Sequence, residues 1–84
     1  MKQLDYQTCG TCSTLIHVAV DDDGHIADVR FAGGCHGNTQ GVAALVKGMA
    51  ADEAVRRLEG IDCHGKGTSC PDQLARAIKK LIEP

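Results

Sequence analysis

Five cysteines carry most of the chemistry this chain offers. They are Cys9, Cys12, Cys35, Cys63 and Cys70, separated by 2, 22, 27 and 6 residues. A thiolate binds borderline-soft metal ions, attacks electrophiles and exchanges with disulfides. The stretch Cys63-His64-Gly65-Lys66-Gly67-Thr68-Ser69-Cys70-Pro71-Asp72 holds two of the five in a glycine-rich loop that opens the last helix. Proline costs nothing at a first helical position, because that N–H has no intrahelical partner. Cys70 is therefore expected at the helix N-cap or just before it. The positive end of the helix dipole there favours thiolate over thiol.

Three chemistries compete for these residues. Thiolates from separate loops converging on one ion fit tetrahedral zinc, and the ion's binding energy would then become folding energy. A zinc ribbon does not fit, because the second cysteine pair is spaced by 6 residues rather than 2. A thioredoxin-like redox site at Cys9-Gly10-Thr11-Cys12 requires a helix after the motif, and here a strand is expected instead. The bland alternative, cysteines as small buried hydrophobes, sits poorly with five of them in turns and at element ends. His36 and His64 each follow a cysteine directly. They are metal ligands, proton donors to a neighbouring thiolate or, more simply, exposed loop histidines. Asp21, Asp22 and Asp23 lack the 12-residue loop and closing glutamate of a calcium site and read as a hairpin turn. No paired carboxylates in a recognisable cleft, no Ser-His-Asp order and no phosphate-binding glycine loop are present.

Composition narrows the classes further. The chain has 84 residues, which predicts one domain over 1–84 with a small core. Tyr6 and Phe31 are its only aromatics, so Leu, Ile, Val and Ala must do the packing. Domains this small are often stapled by metal, disulfide or oligomerisation. The polar start Met1-Lys2-Gln3-Leu4-Asp5 predicts no signal peptide, and no apolar run approaches the roughly 18 residues of a membrane helix. A cytoplasmic location is expected, where clustered cysteines more often mean metal or redox chemistry than disulfides. A net charge of −2 and a pI near 6.0 remove the general electrostatic case for nucleic acid.

The elements that must position the cysteines can be read from periodicity. Leu4 and Tyr6 alternate with polar neighbours over residues 2–8. A β-branched run follows at Leu15 to Val20, a turn at Asp21 to Gly24, and a strand from Ile26 to Phe31 with Ile26, Val29 and Phe31 as its apolar positions. From Asn38 the period becomes helical, with Val42, Leu45, Val46 and Met49 on one face. Asp52 helps to cap a second helix with Ala54, Val55 and Leu58 inward, and Gly60 stops it. Leu74, Ala77, Ile78, Leu81 and Ile82 make the stripe of the last helix, with Arg76, Lys79 and Lys80 on a solvated face. The expected fold is α+β: an antiparallel sheet of about three strands, then about three helices packed on it.

Thr68-Ser69-Cys70-Pro71-Asp72 spells the motif that names the TSCPD domain. Gly10-Thr11-Cys12-Ser13, Phe31-Ala32-Gly33-Gly34-Cys35-His36-Gly37-Asn38 and Gly60-Ile61-Asp62-Cys63 resemble the same family, so the likeness covers essentially the whole chain. Such domains occur alone and at the C-terminal end of adenosylcobalamin-dependent ribonucleotide reductases, where the cysteines are taken to bind zinc. The resemblance implies Cys12, Cys35, Cys63 and Cys70 as a four-cysteine zinc set, with Cys9 as an extra thiol. It also implies an accessory or interaction role beside a reductase. A chain of this length offers no room for a nucleotide site, a radical centre and their channel, so any reductase link is expected to be an association.

A more distant resemblance is to iron–sulfur scaffold proteins of the IscU type. Cys9-Gly10, Asp23-Gly24, Val29-Arg30-Phe31 with Cys35, Leu45-Val46-Lys47-Gly48 and a cysteine opening a helix run in that family's order. It implies an IscU-like arrangement, a zinc ion or nascent iron–sulfur cluster on converging loops, an iron–sulfur assembly partner, and Cys9 rather than Cys12 as first ligand. Thr11 and Ser69 stand where that family has an acidic residue and a histidine, which help make a cluster labile and transferable.

Overall fold

The computed structural model describes residues 1–8, 13–33, 36–62, 65 and 67–82, with 13, 14 and 36–38 described by backbone alone. Cys9, Cys12, Cys35, Cys63 and His64, with the turn expected at 9–12, lie outside the described residues. Among the described residues, strands β1 (Lys2–Gln7), β2 (Ser13–Val20) and β3 (Ile26–Gly33) form one antiparallel sheet in the order β1-β2-β3. Helices α1 (His36–Val46), α2 (Ala51–Leu58) and α3 (Cys70–Ile82) follow. The α+β order expected from the sequence is the observed one. No helix of the described residues is long and apolar enough to cross a membrane.

The sheet has one apolar and one polar face because its strands alternate. Ile16, Val18 and Val20 of β2 are buried. They pair with Tyr6, Leu4 and Lys2 of β1, and with Phe31, Val29 and Ile26 of β3. Ile26 and Val29 are three residues apart, which simple alternation would put on opposite faces. A bulge resolves this. Ala19 pairs with Asp28 and the adjacent Val20 pairs with Ile26, leaving Ala27 without an opposite residue. Asp21 closes the β2–β3 turn, its Oδ1 accepting the N–H groups of Asp23 and His25 at 3.0 Å each. On the polar face Asp5 stands opposite His17 with 2.6 Å between Oδ1 and Nδ1.

The first helix differs from its sequence expectation. Leu45 is 76% exposed, and Met49 lies beyond the helix end. The inward residues are Thr39, Val42, Ala43 and Val46, the same spacing moved by one turn-fraction. The cause is that Val42 to Val46 is an unbroken apolar run, so periodicity alone does not choose the face of α1. Met49 instead belongs to a short segment laid on the start of β3. Gly48 N–H donates to the Ile26 carbonyl and Ile26 N–H to the Met49 carbonyl, both at 2.8 Å.

The last helix is the centre of the helical layer. It packs on β1 and β2 on one side and on α2 on another. Leu74, Ala75, Ala77 and Ile78 are fully buried, so its apolar surface is wider than the single expected stripe. Ala51, Ala54 and Val55 of α2 are buried as well, and α2 packs against α3. No aromatic is fully buried; Tyr6 and Phe31 only flank the core.

Candidate functional site

The loop between α2 and α3 is built by residues other than cysteine. Helix α2 ends at Leu58, and Gly60 follows with φ +84°, the left-handed turn that a side chain resists. The Gly60 N–H donates to Asp72 Oδ1 at 2.7 Å. Asp72 belongs to the first turn of α3, so the stop of one helix is tied to the start of the next. Its other oxygen, Oδ2, accepts the Thr68 hydroxyl at 2.5 Å and pairs with Arg76 at 3.0 Å. Gln73 Nε2 donates in turn to Thr68 Oγ1 at 2.8 Å. Thr68, Asp72 and Gln73 are all buried. Among the described residues, no buried side-chain nitrogen or oxygen lacks a hydrogen-bond partner.

Ser69 caps α3. The Asp72 N–H donates to Ser69 Oγ at 3.1 Å and the Gln73 N–H to the Ser69 carbonyl at 2.8 Å. These bonds correct the expectation for Cys70. Ser69 is the N-cap, Cys70 is the first helical residue and Pro71 the second. The physical reason is that a serine hydroxyl accepts an N–H far better than a thiol does. Pro71 still removes no intrahelical bond, because the first turn's N–H groups have none to lose. Cys70 is half-buried at the positive end of the helix dipole. Ser69→Ala is expected to cost about 1 kcal/mol, the usual value of an N-cap, read as a shift in the denaturation midpoint at unchanged slope. Asp52 acts from inside the first turn of α2 rather than from its N-cap, which is Ala50 and makes no side-chain cap bond; its Oδ1 accepts the Glu53 N–H at 3.0 Å.

Asp62 shapes the other half of the loop. Its Oδ2 accepts the Gly65 N–H at 2.7 Å, and its Oδ1 accepts the Gly67 N–H. Both glycines have positive φ, +77° and +81°, and open space where a Cβ would stand. Glycine is needed at both positions for backbone conformation, not for room.

Asp72 combines opposing influences. Burial pushes its carboxyl pKa up. Hydrogen bonds from Thr68 and Gly60 and the Arg76 charge together outweigh it, and the group is held below the usual carboxylate value. Arg76 is thus not merely part of a solvated face, and Lys79 pairs with Glu59 at 3.3 Å.

Of the cysteines singled out from the sequence, Cys70 alone falls in the described set, and Cys9, Cys12, Cys35 and Cys63 lie outside it. Among the described residues no three His, Cys, Asp or Glu side chains group as a metal site. Sequence reasoning missed Asp62, Thr68, Ser69, Asp72 and Gln73. One signal was available: Ser69-Cys70-Pro71-Asp72 has the capping-box form of a hydroxyl residue followed three positions later by an acid.

The described flanks of the cysteines have a common direction. Gln7 ends β1 opposite Leu15, and Ser13 opens β2 opposite Gly33, the last residue of β3. The chain on either side of 9–12, and just before 35, therefore stands at one end of the sheet. Ile82, at the far end of α3, lines a cleft with Lys2, Val20, Asp21, Asp22 and Gly24, at the opposite end. Helix α3 packs on β1 and β2, and its first turn lies about 18 Å along the helix axis from Ile82.

No curated protein and no solved structure matches the chain. The family model for the TSCPD domain matches residues 2–82, nearly the full length, and the chain belongs to the TSCPD domain family.

Proposed function

We propose that the chain is a small metal-binding module holding zinc through Cys12, Cys35, Cys63 and Cys70, with Cys9 the alternative to Cys12. The observation that carries this reading is the common direction of the cysteine flanks. The ends of β1 and β3 and the start of β2 stand at one end of the sheet, and the last turn of α3, remote from Cys70, stands at the other. The donor chemistry agrees, since four thiolates suit tetrahedral zinc and a helix N-terminus favours the ionised sulfur of Cys70. The core agrees too. It is assembled from Ile, Val, Leu and Ala with no fully buried aromatic, and a bound ion would add a crosslink to a small core.

The module's task is accessory: docking on a protein partner in the cytoplasm, a ribonucleotide reductase being the leading candidate from the family's occurrence at the end of such enzymes. The reductase link is an association rather than catalysis by this chain. Cobalt substitution tests the site. Cobalt in a four-thiolate cage gives intense sulfur-to-metal charge-transfer bands and the visible absorption of tetrahedral geometry. That spectrum is expected from the wild type, weakened by Cys12→Ser, Cys35→Ser, Cys63→Ser or Cys70→Ser and unchanged by Cys9→Ser. A pink, octahedral spectrum from the wild type overturns the reading.

A further inference from the structure

We propose that Asp62 is a positioning residue for the metal site, winding the loop between Cys63 and Cys70 into its binding form before any ion arrives. This rests on the four-thiolate reading above. Asp62 directly precedes Cys63, and its carboxylate accepts two backbone N–H groups from within the loop, those of Gly65 and Gly67. Both donors sit in left-handed backbone, so the chain curls round the carboxylate rather than passing it. The loop's remaining anchors are independent of metal as well. Asp72 holds the Gly60 N–H, and Thr68 is held by Asp72 and Gln73. The backbone N–H groups of Gly60, Gly65 and Gly67 are thus held by carboxylates outside the proposed ligand set. A loop ordered during folding does not have to be ordered again on binding, which raises affinity and speeds uptake.

Asp62 separates positioning from folding. Asp72, Thr68 and Gln73 are buried between helices, so their loss damages the domain itself. Asp62 is exposed and contributes to the loop alone. A carboxylate beside Cys63 would by its charge oppose a thiolate, so its presence there fits a geometric task rather than an electrostatic one. Removal of outer-shell partners of metal ligands typically costs 10–100-fold in affinity.

The test is zinc competition against a chromophoric chelator, with amide hydrogen exchange on the metal-stripped full chain. Asp62→Ala is expected to weaken zinc binding about 10–100-fold while the metal-free melting temperature stays at the wild-type value. Asp62→Asn, which keeps one acceptor oxygen, is expected to fall between. In the metal-free wild type the Gly65 and Gly67 amides are expected to be protected, and Asp62→Ala is expected to lose that protection. The proposal is overturned if Asp62→Ala binds zinc as tightly as the wild type, or if those amides exchange in the metal-free wild type as in an unfolded chain. A wild type that binds neither zinc nor cobalt overturns the four-thiolate reading itself, a result separable from the other two.

Discussion

Asp72→Ala lowers the stability of the domain by about 3 kcal/mol, and its melting temperature by about 15 °C for a chain of this size. The substitution strips acceptors from the Gly60 N–H and the Thr68 hydroxyl, and leaves Gln73 bonded to a hydroxyl that has lost its own partner. A bond to an ionised group contributes about 1.5–3 kcal/mol, and a buried donor left without a partner costs a similar amount. Against a typical total of about 5–15 kcal/mol, that is a large fraction. Arg76→Ala makes the comparison. Its side chain is half in solvent, so its pair with Asp72 is screened and its removal is expected to cost less than about 1 kcal/mol. The hydrogen bonds, not the ion pair, hold the junction. Equal losses in the two variants would contradict this ordering.

The same carboxylate sets a pH dependence. Its folded pKa lies below the unfolded value, so the folded state binds the proton less readily. The stabilisation is complete above the unfolded pKa of about 3.9 and is lost as pH falls through the folded value. Denaturation midpoints measured from pH 6 downward are expected to fall more steeply below pH of about 4 in the wild type than in Asp72→Asn. Parallel curves would show that Asp72 does not carry the acid sensitivity.

Cys70→Ser is the second large effect. Loss of one of four ligands weakens zinc binding, and bound zinc at a thousandfold over Kd stabilises by about 4 kcal/mol. Zinc-replete Cys70→Ser is expected to lose most of that amount. Cys9→Ser, outside the proposed ligand set, is expected to remain within about 0.5 kcal/mol of wild type. Equal effects at the two positions would mean that the ligand set is wrong, and a large effect at Cys9 with none at Cys12 would exchange those two residues.

The sheet was legible in the sequence because its strands are short, β-branched and bounded by turn residues. Even the uneven Ile26, Val29, Phe31 spacing was present as a list of apolar positions; what sequence could not supply was the bulge at Ala27 that reconciles them, since bulges follow from pairing with a partner strand. Helix α3 was legible by its stripe, though not its second buried side, which depends on α2 lying against it. In α1, Val42, Ala43, Leu45 and Val46 offer two nearly equal faces, and the choice is made by β3 rather than by periodicity. The site divides in the same way. Cysteines announce themselves by type and spacing. The loop frame does not, because Thr68, Ser69, Asp72 and Gln73 are ordinary polar residues until Gly60, twelve positions before Asp72, is brought beside them. The letters of the motif other than its cysteine are thus explained by folding: Thr and Asp tie two helices together, Ser caps, and Pro fits the first turn, where no intrahelical N–H bond is lost.

Metal content of the chain purified without added metal tests the central claim most directly, with acid-labile sulfide measured alongside. The four-thiolate reading predicts about one equivalent of zinc per chain, no sulfide, and loss of the zinc in Cys70→Ser but not in Cys9→Ser. Less than about a tenth of an equivalent of zinc in a folded wild-type chain, or iron with matching sulfide in its place, would contradict it.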